Sequence, residues 1–145
     1  MTFSDSITTI LHPITVHFPV ALIIVSAALA IIYAFRKHDP LLNGTLRLLV
    51  ILAAISAWVA IFTGSFTSQL SGEAHTIREV HHTFAGWTSY MISIAGAGYL
   101  FFSFYKKHNL PKWLQWTPFV FLLIAAIMVS ITGYYGGYIV YNILL

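Results

Sequence analysis

Seven histidines and no cysteine leave imidazole as the main soft-to-borderline metal ligand in this chain. Two of the seven open the segment LHPITVHFPVALII (11–24), where His12 and His17 stand beside Pro13 and Pro19 at the mouth of a long apolar run. An imidazole without a partner is expensive in hydrocarbon, so His17, about a turn inside that run, calls for a hydrogen-bond acceptor or a metal. Pro19 offers the plain solution. It has no backbone N–H, which leaves the Thr15 carbonyl without its usual helical partner. Pro13 suits a first helical turn.

The sharper reading pairs His17 with His82, at the start of a later apolar run, as the two axial ligands of haem b. His81 is turned about 100° away from His82, so one of the two points inward. His12 is then an outer hydrogen-bond donor or an alternate ligand. A porphyrin needs room, and Gly64, Gly86, Gly136 and Gly137 leave it near these histidines. Trp87, with Trp58, Phe62, Phe66 and Phe84, would wall the slot. Close helix packing at Gly133-x-x-x-Gly137 and an interfacial aromatic belt are the plainer roles for the same residues. The alternative cofactor is zinc or copper, held by three or four of His12, His17, His75, His81 and His82. The apolar setting of His17 favours the larger hydrophobic group.

The elements that must position these residues follow from composition. The chain has 145 residues, 59% of them hydrophobic and 8% charged, with a mean hydropathy of +0.84. Soluble domains carry roughly 25% charged residues. Four apolar stretches, 14–35, 46–66, 83–105 and 114–133, each approach the roughly 20 residues that a bilayer-crossing helix needs. Helix is required because a spanning segment must satisfy its own backbone. Short connections then give an all-α, integral membrane, antiparallel four-helix bundle forming one domain. Residues 1–12 contain no Lys or Arg, and the first run is longer than a signal-peptide core, so it reads as a retained span. No internal repeat or low-complexity tract stands out.

Six of the seven basic residues (Arg36, Lys37, Arg47, Lys106, Lys107 and Lys112) flank the first and third connections. The second carries Arg78 against Glu73 and Glu79. The positive-inside rule therefore places both termini and the second connection outside, in a multi-pass membrane protein. His12, His17, His75, His81 and His82 share that outer end, whereas His38 and His108 fall on the inner side. The helix near the C-terminus is expected to stop at Gly136 and Gly137, with 136–145 lying along the interface.

The opening segment resembles the motif H-P-x-x-V-H-F-P-[IV]-A-L of small bacterial predicted membrane proteins grouped as domain of unknown function 2231. Thr63 and Gly64, the segment SGEAHTIREVHHTFAGW and the ending YYGGYIVY are similar to the rest of that family's pattern. The resemblance implies a four-helix bundle of the bacterial inner membrane with its histidines outside, and it singles out His82 as the histidine four residues before a glycine. It brings no activity with it. The segment after the double glycine is more apolar here than the family pattern.

Several classes are excluded. Acids are confined to ends and loops, so neither a Ser-His-Asp hydrolase nor a proton path built on buried carboxylates fits. No basic patch supports nucleic-acid binding. The expectation is an electron-transfer protein rather than a catalytic enzyme, lodged in the lipid bilayer and exchanging electrons with quinol or a periplasmic redox protein. A non-catalytic membrane subunit is the rival. A transporter would need a homo-oligomer to line its pathway.

Overall fold

The structure, a computed structural model, describes residues 3–36, 39–66, 72–105 and 111–141. These form four helices and no strand: α1 (Phe3–Phe35), α2 (Pro40–Gly64), α3 (Glu73–Phe104) and α4 (Lys112–Ile139). Lys37, His38, Lys106, Lys107 and His108 lie outside the described residues.

Local chemistry sets the helix ends. Asp39 caps α2 by accepting from the Leu42 N–H at 3.0 Å, and Pro40 occupies the first turn, where its missing N–H is no loss. Gly72 precedes α3 with φ of 64°, a left-handed conformation that glycine adopts freely. Two ends differ from expectation. α1 begins at Phe3, so both Pro13 and Pro19 lie inside the helix. α4 continues through Gly136 and Gly137 to Ile139. Each glycine costs a helix about 1 kcal/mol, less than backbone groups left unpaired in lipid.

Each helix packs against its two neighbours in a ring, most extensively within the α1–α2 and α3–α4 hairpins, then between α2 and α3 and between α4 and α1. The pairing is antiparallel. Thr15 near the start of α1 meets Thr63 at the end of α2, and Phe84 near the start of α3 stacks on Tyr135 late in α4. The starts of α1 and α3 thus share one end of the bundle with the finishes of α2 and α4.

The core is built largely from small side chains. Ala27, Ala30, Ala53, Ala57, Ala60, Ala95 and Ala125 are buried around Ile23, Val50, Ile92 and Leu122. Small residues let backbones approach where lipid provides no hydrophobic drive. Large apolar residues such as Ile55, Phe62, Ile127 and Phe104 face outward. The chain is therefore apolar on its outside, as a bilayer demands. Three helices are long and apolar enough to cross a membrane: Leu11–Phe35 of α1, Pro40–Gly64 of α2 and Trp113–Ile139 of α4. α3 matches them in length but is diluted by glycine, serine and threonine.

The fold exposes an internal repeat that inspection of the sequence misses. Shifting the chain by 69 residues carries His12 onto His81, Thr63-Gly64 onto Thr132-Gly133, and the end of α1 at Phe35 onto the end of α3 at Phe104. Core positions follow the same shift: Ile23 and Ile92 are both fully buried, as are Ser26 and Ala95, and Ala53 and Leu122. The two hairpins are thus related by a pseudo-two-fold axis along the bundle. In most pairs the side chains differ, so the period is carried by burial more than by identity.

Candidate functional site

The site lies where that axis meets the histidine end. His12 of α1 and His81 of α3 come from diagonally opposed helices, yet their ring centroids are 6.4 Å apart with planes at 88°. His82 extends the group, its ring 5.9 Å from that of His81.

Each facing ring is seated on a glycine of the next helix. A Cβ on Gly64 of α2 would stand 2.8 Å from Cε1 of His12, and one on Gly136 of α4 would stand 3.1 Å from Cε1 of His81. All four helices therefore contribute. Gly86 and Gly137, expected to give room nearby, have nothing within 4 Å of a notional Cβ.

Hydrogen bonds fix the tautomers. His81 Nδ1 lies 2.9 Å from the Thr132 carbonyl, which only accepts, so Nδ1 carries the proton and donates. His12 Nδ1 lies 3.3 Å from Thr63 Oγ1. That hydroxyl donates to the Ala60 carbonyl at 3.0 Å, and Thr15 Oγ1 lies 2.8 Å from it while donating to the His12 carbonyl at 2.9 Å. With the Thr63 hydroxyl proton on the Ala60 carbonyl, the Thr63 oxygen is left as acceptor and His12 Nδ1–H donates to it. In both rings Nε2 is left with a lone pair. A backbone or hydroxyl partner on the far nitrogen is the arrangement that orients a ligating histidine.

Electrostatics favour the neutral rings at α3. Burial, above all, lowers the pKa of both His81 and His82, and the Arg78 cation one turn earlier pushes the same way. Arg78 is itself 9% exposed.

The remaining sequence candidates fall elsewhere. His17 is exposed, hydrogen-bonded through Nδ1 to the Pro13 carbonyl of its own helix. It is five residues from His12, about 140° around α1, so the two rings cannot share a face. His75 is exposed and pairs with Glu79 at 3.9 Å. Among the described residues no three His, Asp or Glu groups are placed to hold a metal ion. The aromatic wall is also placed differently. Trp58, Phe62, Phe66 and Trp87 point outward, with Trp58 Nε1 donating to Ser93 Oγ at 3.0 Å. Phe84 alone of that set is partly buried.

A family model described as "Predicted membrane protein (DUF2231)" matches residues 8–144, nearly the whole chain. The chain belongs to the DUF2231 family. This DUF2231 protein is thus a predicted membrane protein by descent as well as by its apolar exterior. No curated protein and no solved structure matches it.

The sequence gathers five histidines at one end of the helices and points to His17 as facing the bundle, whereas His17 is exposed and the Thr63 and Thr132 contacts to His12 and His81 carry no local signature. The available signal was spacing. His12 to Thr63 and His81 to Thr132 are both 51 residues, each running from the first helix of a hairpin to the end of its second.

Proposed function

We propose that this DUF2231 protein is a membrane-embedded b-type haem protein, with iron held between His12 and His81 at the outer end of the bundle. The observation that carries the reading is the 6.4 Å between the two ring centroids. At that separation the two rings are near enough to hold one metal between them, at about 2.0–2.1 Å per metal–nitrogen bond.

The donor count supports the same choice. Zinc wants three or four protein ligands. Two facing imidazoles suit a metal whose equatorial ligands arrive with it, which is the case for iron porphyrin. His82 is the alternate ligand, in ring contact with His81. Bound iron porphyrin would supply one-electron exchange. The chain would supply two rings held in one tautomer, a low-dielectric surround and a position near one membrane face. In this reading α3 crosses with the other three helices, since it closes the ring between α2 and α4. The basic connections lie in the cytoplasm, and the site exchanges electrons with quinol or a periplasmic carrier.

The test is the optical spectrum of detergent-purified protein. A sharp Soret band, with resolved α and β bands on reduction, is the expected result. Zinc or copper in the purified protein without that spectrum would overturn the proposal.

A further inference from the structure

Arg78 is charged yet buried, 9% exposed. It precedes His81 by three residues and His82 by four, so it lies between them around α3, one turn earlier. Its charge disfavours protonation of His82 and, to a lesser degree, of His81. A guanidinium here opposes a bare metal cation and suits a ligand that brings negative charge. Three to four residues at 1.5 Å per residue also set Arg78 about 5 Å nearer the aqueous end than the rings. The 69-residue shift gives it no counterpart: the equivalent position in the first hairpin is Thr9. The cation, like His82, whose equivalent is Pro13, therefore falls on one side of the pseudo-two-fold axis.

We infer that Arg78 receives a carboxylate of the ligand held between His12 and His81. The inference rests on the haem reading and deepens it. The ligand is held at its iron by two imidazoles and at its acidic edge by one guanidinium, with its apolar edge directed into the bundle. A guanidinium offers five N–H donors in a planar fork that matches a carboxylate, so contacts inside the protein and to the ligand can be served together. Because one side of the axis carries the anchor, the ligand has one preferred orientation.

Ligand-free protein titrated with ferric protoporphyrin and with its dimethyl ester provides the test, in the wild-type chain, Arg78→Gln and Arg78→Lys. The wild-type chain should bind the free acid more tightly than the ester. Arg78→Gln should weaken the acid on the order of 10- to 100-fold, as loss of a charged hydrogen bond implies, and leave the ester unchanged. Arg78→Lys should fall between. Equal affinity of the wild-type chain for acid and ester overturns the carboxylate anchor while leaving the histidine pair standing. This outcome is read without any variant, so a poorly folded Arg78→Gln does not obscure it. Failure of the wild-type chain to bind either porphyrin overturns both readings.

Discussion

Gly64 lies beneath the imidazole of His12 so closely that a Cβ there would stand 2.8 Å from Cε1 and 3.2 Å from Nδ1. His81 has the same relation to Gly136, slightly looser at 3.1 Å. Gly64→Ala should therefore destabilise the bundle by about 1–3 kcal/mol, the usual effect of overpacking, and displace His12. Gly136→Ala should do the same to a smaller degree. Gly86→Ala and Gly137→Ala meet open space and should gain up to about 1 kcal/mol from helix propensity. Thermal unfolding in detergent gives the ranking, and a Gly137→Ala variant weaker than Gly64→Ala would contradict it.

Removing either facing imidazole should abolish haem retention. His12→Ala and His81→Ala are expected to lose the Soret band, and His82→Ala to keep most of it. His17→Ala should retain full haem content, because that ring is exposed and bonded to Pro13 of its own helix. Haem content per protein after purification decides the matter. A His17→Ala variant without haem, beside a loaded His12→Ala, would return the ligand assignment to the first-helix residue nearer the bundle centre.

Ser26 is fully buried, and its hydroxyl has no hydrogen-bond partner. The equivalent position in the second hairpin is Ala95, equally buried. An unsatisfied buried hydroxyl costs about 1–3 kcal/mol. Ser26→Ala should thus raise stability by about 1 kcal/mol or more without changing the spectrum. A lower unfolding temperature would mean that the hydroxyl is used.

Acid should loosen the histidine end. Burial holds His81 and His82 below their ordinary 6.5, so the folded state prefers them neutral. The unfolded chain binds these protons first as pH falls. Their contribution to stability is fully present above 6.5 and drains away as pH drops towards the folded-state values. The unfolding temperature measured from pH 7.5 to pH 5 should fall, and His81→Asn should flatten the slope. An unchanged slope in that variant would remove His81 as the titrating group.

Much of the architecture is local information. Hydropathy runs, Asp39-Pro40 and the uneven distribution of lysine and arginine depend on neighbouring residues only, and they suffice for four antiparallel helices with five histidines at one end. Gly64, Gly86, Gly136 and Gly137 read in the sequence as room for a porphyrin, and the structure sets Gly64 and Gly136 against imidazoles and Gly86 and Gly137 against open space. The rotation of each helix about its own axis is not local. It is set by which alanines and glycines let two backbones approach, and that choice turns His12 and His81 to the axis and leaves His17 on the outside. The helix ends depend on context in the same way, since α4 runs through two glycines because an open backbone in lipid costs more than their weak propensity. The 69-residue repeat is likewise faint in residue identities, which agree at a few positions such as His12 and His81 or Thr63-Gly64 and Thr132-Gly133. Hydrophobic side chains interchange freely at a given position, so the period survives in burial and in the two histidines, and only the packed bundle brings those two face to face.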